Sequence, residues 1–405
     1  MIPKETYIQQ LRFIVQRLML DGLEDSATKE LKVLYGDLIK TARKAYENQI
    51  NLVKGSSPEF RLKYLEEQFN IIVDSVTKKL SSKALEFIAI AGSYSYESTN
   101  DLVSWDGKVE NFTNVYKSPE QVKAIVLGET LGGKTFESWM NLDTQNLKAE
   151  TKTAIKVGLA NGVGYDKLVR SMIKDHSAQF KLEKIEDNII ALETVVKTYI
   201  QSVNISAHKE IYSKNSDLIK KVEWSAVLEN GNVKTGKGTC PRCAALDGQE
   251  YKNHEDAPPC PLHPRCRCML VPITKTWDEL FKDERLSEKN LNELRETEWK
   301  TENLLGKKWN VRDLDTRRIQ ESDWKGLATR LKNGNDYSDW WETRNKSFRD
   351  NAVGPVRSAL ITETDLNFED IVNRDTGELY TLQELVKTNK VSQEQLTKAR
   401  HKALL

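Results

Sequence analysis

Apolar side chains recur every three or four residues through much of the first 90 positions of the chain. One such face consists of Leu31, Leu34, Leu38, Ala42 and Ala45, and a second of Leu62, Leu65, Phe69, Ile72, Val76 and Leu80. A period of 3.6 residues places these side chains on one side of a helix. Because Gly55-Ser-Ser-Pro58 interrupts the pattern, residues 1–91 are predicted to form a helical hairpin.

The periodicity is lost after residue 91. Gly92-Ser-Tyr-Ser-Tyr-Glu-Ser-Thr-Asn-Asp contains the small and polar residues that are typical of loops. Residues 92–129 are therefore predicted to be a loop or linker region, within which a helix begins at Ser118-Pro119-Glu120. Serine is a favoured N-cap, and proline is favoured in the first helical turn.

The pattern changes from helix to strand between residues 182 and 228. A stripe spaced by three and four residues consists of Leu182, Ile185, Ile189, Leu192, Val196, Tyr199 and Val203, and alternating apolar positions follow at Val222, Trp224, Ala226 and Leu228. The first pattern predicts an amphipathic helix and the second a strand. Strands near 221–229, 249–252 and 268–274 are predicted to form a short antiparallel sheet. This sheet is the one small β element expected in a mainly α protein of long helices and helical hairpins.

All five cysteines of the 405-residue chain lie between positions 240 and 268. Together with one histidine they form Cys240-x2-Cys243-x16-Cys260-x2-His263-x2-Cys266-x-Cys268, a spacing that favours tetrahedral zinc. We expect one structural Zn²⁺ held by four of the residues Cys240, Cys243, His263, Cys266 and Cys268. Cys266 and Cys268 are two apart on an extended chain and so face the same side, but Cys240, Cys243, His263 and Cys266 form an equally good set.

Other roles for this segment are disfavoured by its residues. An odd number of cysteines argues against a disulfide framework. No His-Glu-x-x-His occurs, and His208-Lys-Glu210 lacks the Pro-Cys-x-x-Cys that a zinc deaminase requires. The chain is therefore predicted not to be an enzyme.

The cysteine segment carries a resemblance to a known family. Thr-Cys240-Pro-Arg-Cys243-Ala-Ala-Leu-Asp247-Gly248, followed by Pro258-Pro259 and His263-Pro-Arg-Cys266-Arg-Cys268-Met-Leu-Val-Pro, resembles the signature of the Mu F-like family of phage minor head (head morphogenesis) proteins. Cys260 is an addition to that signature, which implies that it is a spare cysteine and not a ligand. The resemblance implies a core at residues 130–275 with its zinc module at 240–274.

The resemblance also implies a role and a location. Such a protein is a bacteriophage virion component inside the capsid, assembled in the host cytoplasm and present in few copies per head. It acts in head morphogenesis or genome delivery near the portal, and its partners are the portal protein, the major capsid protein or the scaffold. Some relatives carry toxin-type enzymatic domains after the zinc module, which leaves a toxin-type enzyme as one alternative.

Residues 276–405 differ in character from the core. They are charged and contain Trp277, Trp299, Trp309, Trp324, Trp340 and Trp341. We predict a partly extended C-terminal arm. Its Trp340 and Trp341 either anchor a partner protein or pack in the core of the arm itself.

A second motif, Gly128-Glu-Thr-Leu-Gly-Gly133-Lys134-Thr135, matches the phosphate-binding P-loop pattern. A P-loop joins a strand to a helix at the edge of a parallel sheet, and no alternation of strands and helices follows here. The segment is therefore interpreted as a turn before a helix.

Charge limits the partners further. The 61 basic and 60 acidic residues give a net charge of +1. Because affinity for DNA comes from neutralising phosphates, contact with packaged DNA is expected to be weak and local. A zinc-ribbon nucleic-acid-binding protein is the other alternative.

No run of eighteen apolar residues occurs, so we expect a soluble protein without membrane contact.

Overall fold

The computed structural model describes residues 4–52, 55–141, 145, 148–149, 153, 183–226, 239–304, 341–342, 346–373 and 376–403. Within these residues the chain is mainly helical, as predicted, and it has two small antiparallel sheets, of which one was predicted. None of the described helices is both long enough and apolar enough to cross a membrane. The chain divides into two compact units, one of residues 1–22, 94–116 and 204–405, the other of residues 23–93 and 117–203.

The described α-helices are α1 Lys4–Leu52, α2 Pro58–Val103, α3 Pro119–Gly128, α4 Glu183–Lys214, α5 Pro241–Leu246, α6 Trp277–Lys282, α7 Glu288–Leu304, α8 Lys346–Val353, α9 Pro355–Glu363, α10 Leu382–Lys387 and α11 Gln393–Lys402. A 3₁₀ helix spans Phe368–Ile371. The strands are β1 Thr130–Leu131, β2 Lys134–Thr135, β3 Ile219–Ser225, β4 Glu250–Tyr251 and β5 Met269–Thr274.

The loop predicted from residue 92 onward is wrong for its first part, because helix α2 continues to Val103. The small polar side chains of this stretch are buried or half-buried, and several are hydrogen-bonded. Gln16 of α1 donates from Nε2 to Ser98 Oγ at 2.7 Å and to Thr99 Oγ1 at 2.9 Å, and Asn100 donates to the carbonyl of Val115 at 2.7 Å. Tertiary hydrogen bonds thus stabilise this part of α2 in place of an apolar stripe, and hydrophobic periodicity therefore does not reveal it.

Helix α3 begins as predicted, with Ser118 as N-cap and Pro119 at its first position. Ser118 and Gln121 form a reciprocal capping box that satisfies two amide groups at the helix start. The predicted stripe of α4 is buried at Leu192, Val196, Tyr199 and Val203, whereas Leu182 lies outside the described residues.

Gly92 lies at a close contact in the unit formed by residues 23–93 and 117–203. A Cβ atom added to Gly92 would lie 2.6 Å from Cγ1 of Val122 on α3 and 3.2 Å from Cγ2 of Val203 on α4. Both valines are buried. The absence of a side chain therefore lets α2 approach these two residues.

The P-loop-like segment is a β-hairpin. Strands β1 and β2 pair antiparallel, with Gly132 and Gly133 between them at φ 58° and 75°. Such positive φ values at both central residues are those of a tight hairpin turn. Lys134 lies over the ring of Trp139 with its Nζ 4.9 Å from the centroid, and Thr135 caps the helical segment that starts at Phe136. This geometry differs from the strand–loop–helix arrangement that cradles phosphates.

The predicted three-stranded antiparallel sheet is present in the order β4-β3-β5. Val222 lies opposite Pro272, and Trp224 opposite Leu270. Val222, Trp224 and Ala226 are buried as the alternation predicted, and Leu228 lies outside the described residues. Proline fits β5 because β5 pairs on one side only.

The described parts of the C-terminal region are compact, so the predicted partly extended arm is wrong for them. Helix α9 packs with α8 and α11, and the side chains of Leu360, Ile371 and Leu385 are fully buried. Trp341 is 0% exposed and makes an edge contact with Phe368. It is a core residue rather than an exposed anchor, while Trp340 lies outside the described residues.

Replacing Gly92 by alanine is expected to destabilise the protein. Alanine alone would favour a helix by about 1 kcal/mol. The added Cβ would lie 2.6 Å from Cγ1 of Val122 and would force α2 and α3 apart. Overpacking of this kind costs about 1–3 kcal/mol. We therefore expect Gly92→Ala to lower the midpoint of urea unfolding.

Gly36 provides the matched control, because it lies inside α1 and an added Cβ meets nothing within 4 Å. Gly36→Ala should raise the midpoint or leave it unchanged. Equal shifts of the same sign in both variants would contradict the close contact at Gly92.

Candidate metal centre

The first two sulfur donors are positioned by the short helix α5. Cys240 is its N-cap and Pro241 follows, so the proline occupies a position where no amide donor is needed. The backbone N–H of Cys243 donates to Sγ of Cys240 at 3.4 Å. The Cys-x2-Cys spacing therefore brings both side chains to the start of one helical turn.

The imidazole of His263 is oriented by the loop that carries it. Its Nδ1 lies 2.8 Å from the carbonyl oxygen of Pro264, which only accepts, so Nδ1 carries a proton. The other nitrogen, Nε2, lies 3.1 Å from Cys240 Sγ and 3.3 Å from Cys243 Sγ. This arrangement, with one ring nitrogen held by a backbone carbonyl, is the usual one for metal-binding histidines.

Cys266 and Cys268 approach the same place from the residues before β5. Cys266 Sγ lies 3.7 Å from Cys243 Sγ, and the sulfurs of Cys243, Cys266 and Cys268 all lie within 4.8 Å of one another. Arg267, between them, lies on another side, with a guanidinium nitrogen 4.0 Å from an Asp21 carboxylate oxygen on α1. The predicted shared orientation of Cys266 and Cys268 is present.

The five predicted ligands thus form two groups that share Cys243. One group is Cys240, Cys243 and His263, and the other is Cys243, Cys266 and Cys268. Cys260, expected to be spare, lies beside the second group and donates from Sγ to the carbonyl of Cys268 at 3.2 Å. All five cysteines are free of disulfide bonds.

Hydrogen bonds shift the pKa values of the clustered thiols in opposite directions. Hydrogen bonds from Cys243 and His263 lower the pKa of Cys240 to about 5, and hydrogen bonds from Cys243, Cys260 and Cys268 lower the pKa of Cys266. Hydrogen bonds to Cys240 and Cys266 raise the pKa of Cys243. Burial lowers the pKa of His263, but its bond to Cys240 and the nearby thiolates outweigh this and raise it to about 9.

The geometry and chemistry of these residues suit a soft divalent metal ion. Tetrahedral zinc with Zn–S bonds of about 2.3 Å holds its sulfurs about 3.8 Å apart, close to the 3.7 Å between Cys243 and Cys266. A bound ion would replace the protons that the donors now share. The Cys/His clusters are therefore able to hold a metal ion.

Asp247 attaches this centre to the sheet. It ends α5, and its carboxylate accepts the backbone N–H of Ala226 at 2.7 Å. The next residue, Gly248, has φ 79° and donates its N–H to the carbonyl of Trp224 at 2.9 Å. The Leu-Asp-Gly sequence does not reveal that Asp247 is 3% exposed and holds the end of β3.

The C-terminal helices also contact the centre. Arg242, next to Cys243, donates from Nε to the carbonyl of Gly377 at 2.5 Å and pairs with Glu378 at 2.9 Å. Helix α5 packs against the 3₁₀ helix. This contact spans more than 130 residues of sequence, and no local pattern predicted it.

A second polar group lies buried next to β5. His208 Nε2 donates to Oε1 of Gln16 at 3.1 Å, and its ring lies against Phe13 and Tyr212. The Tyr212 hydroxyl donates to the carbonyl of Leu270 on β5 at 3.2 Å. Glu210 instead accepts a hydrogen bond from the hydroxyl of Tyr96 at 2.8 Å. His208 and Glu210 thus make separate structural hydrogen bonds and do not act on one site.

Comparison of the chain with protein-family models, with curated proteins and with solved structures gives no match.

Acid should destabilise the fold through His208. Burial, reinforced by the charges of His254 and Arg17, lowers the pKa of His208 from 6.5 to about 3. Between these two pH values the unfolded chain binds a proton that the folded chain does not, so stability rises with pH across this window. The free energy of unfolding should fall by up to about 1.4 kcal/mol per pH unit below pH 6.5.

The measurement is the urea midpoint at several pH values between 6.5 and 4.5. His208→Gln should show a shallower decline than the wild type, whereas His401→Gln, which changes an exposed histidine, should follow the wild type. Parallel curves for all three proteins would disprove the contribution of His208.

Proposed function

We propose that this chain is a minor head protein of the Mu F-like type, in which a structural Zn²⁺ ion fixes the segment 240–274. The observation that supports this best is the assembly of the knuckle, the Leu-Asp-Gly turn, the His-Pro-x-Cys-x-Cys run and the closing strand around one cluster of donors. The residues on which the resemblance rests are also the residues that build this centre.

The surroundings of the donors support a structural ion rather than a catalytic one. A catalytic zinc keeps an open position beside a general base. Here Asp247 binds the amide of Ala226, Glu250 pairs with Lys221 and Glu255 pairs with Lys209. Among the described carboxylates of residues 240–274, these three are committed to structural contacts.

The position of the cluster supports an organising role. It joins helix α5, strand β5 and the loop around His263, and α5 contacts the C-terminal helices through Arg242. Helices of six residues and sheets with two-residue strands are unstable alone. Metal binding, on the order of 10 kcal/mol in small zinc modules, would stabilise them.

Charge supports protein partners over DNA. With a net charge of +1, the chain has little long-range attraction for phosphates, and association must depend on apolar and aromatic contacts. We propose a few copies inside the head, bound to the portal protein, the major capsid protein or the scaffold, with a non-enzymatic role in head morphogenesis or genome delivery.

Removing the metal is expected to unfold the segment 240–274 while α1 and α2 keep their structure. Cys243→Ser should have the same effect as chelation, because Cys243 belongs to both donor groups. Hydrogen exchange read by mass spectrometry should show lost protection in 240–274 and retained protection in residues 73–103. Full protection of 240–274 after complete zinc removal would refute the structural role.

A matched pair of histidine variants tests the ligand set. His263→Gln should lower the zinc affinity, since Nε2 of His263 faces two sulfurs. His401→Gln changes an exposed histidine on α11 and should bind zinc as the wild type does. Equal zinc affinity in both variants would remove His263 from the site.

The role in the head is tested on purified particles of the phage that encodes the chain. Quantitative mass spectrometry should find the protein at a few copies relative to the portal. Depletion of the protein should reduce the yield of filled heads. Absence from the particle together with normal head yield would overturn the proposal, as would turnover of a nucleotide or nucleic acid by the pure protein.

A further inference from the structure

The cluster contains more donors than one tetrahedral ion uses. Zinc in a structural site takes four ligands. Cys240, Cys243, Cys266, Cys268 and Nε2 of His263 form the two donor groups. Cys260 adds a sixth donor, which is hydrogen-bonded to the side chain of Cys266 and to the carbonyl of Cys268. One ion would leave two of these six donors without a metal bond.

The six donors are arranged around two central sulfurs. Cys243 contacts Cys240 and His263 on one side and Cys266 on the other. Cys266 in turn is hydrogen-bonded to Cys243, Cys260 and Cys268. Cys243 therefore has neighbours from both halves of the cluster, Cys266 links Cys243 to the two outer sulfurs of the second half, and each half adds two outer donors.

The distance between the central sulfurs fits a shared edge. Two tetrahedral zinc ions that share two thiolates hold these about 3.8 Å apart, given Zn–S bonds of about 2.3 Å. Cys243 and Cys266 are 3.7 Å apart. Each bridging sulfur is a ligand of both ions. Six donors therefore supply the eight metal–ligand bonds of two tetrahedral ions.

The charge of such a centre is also reasonable. Five thiolates and two Zn²⁺ ions leave one negative charge. The guanidinium of Arg17 on α1, 1% exposed, lies near enough to Cys260 for its positive charge to attract that thiolate. Arg17 pairs with Asp21, and Arg267 approaches the same carboxylate, so these three groups carry one net positive charge that offsets the remaining negative charge.

We propose that the cluster binds two Zn²⁺ ions bridged by Cys243 and Cys266, with Cys240 and His263 completing one tetrahedron and Cys260 and Cys268 completing the other. The proposal rests on the proposed structural zinc and extends it to a second ion that depends on Cys260. Each cysteine that is still a thiol loses its proton to solvent as its metal–sulfur bond forms, and the imidazole of His263 loses its proton at Nε2.

The test counts zinc in the full chain. Protein prepared without chelator is analysed for zinc by inductively coupled plasma mass spectrometry and for protein by amino-acid analysis, and the intact mass is measured under native conditions. The wild type should hold two zinc ions, Cys260→Ser one, and His401→Gln two.

A second measurement separates bridging from two independent sites. After exchange with ¹¹³Cd²⁺ the wild type should give two cadmium resonances with mutual coupling through the shared sulfurs, and Cys260→Ser should give one. This measurement on the wild type keeps the proposal testable even where a variant fails to fold.

The outcomes distinguish the two proposals. One zinc ion in the wild type overturns the two-ion centre and leaves the structural zinc intact. Two ions in Cys260→Ser overturn the role of Cys260 and with it the proposed ligand set. No zinc at all removes both proposals.

Discussion

Close approach of sulfur and imidazole donors is the constraint on which the central part of this protein depends. Nε2 of His263 lies 3.1 Å from one sulfur, and two other sulfurs lie 3.7 Å apart. Several thiolates at such distances repel one another, so the cluster is favourable only when protons or a cation lie between them. The surrounding helix α5 and two-residue strand β4 are too short to impose this arrangement by themselves.

The cluster is held to the rest of its unit by polar contacts from distant sequence. Asp247 fixes the end of β3, and Arg242 binds the backbone at Gly377. On helix α1, Arg17 pairs with Asp21 at 2.6 Å, and Asp21 approaches Arg267 between two of the cysteines. Buried charged groups that are paired in this way are costly to break, which makes the centre sensitive to changes far along the chain.

Sequence patterns predicted those parts of the fold that depend on local physics. The stripe through Val196 and Val203 and the alternation at Val222 and Trp224 are buried as predicted, because period and burial are directly linked. The cysteine spacing identified the donors that meet. Tertiary polar contacts were not predictable: helix α2 continues through Ser98 because Gln16, 82 residues earlier, satisfies its hydroxyl. No local signal records such a partner.

A sequence motif indicates a function only where the fold around it also fits that function. Gly128–Thr135 satisfies a phosphate-binding pattern, but its glycines turn a hairpin and Lys134 lies on Trp139. The pattern fixes residue types, whereas phosphate binding also requires a strand before the loop and a helix after it. The cysteine segment differs because a metal site needs little more than donors at bonding distance, and its spacing supplies these directly. The chemistry that needs the fewest structural conditions is therefore the chemistry that this sequence indicates most clearly.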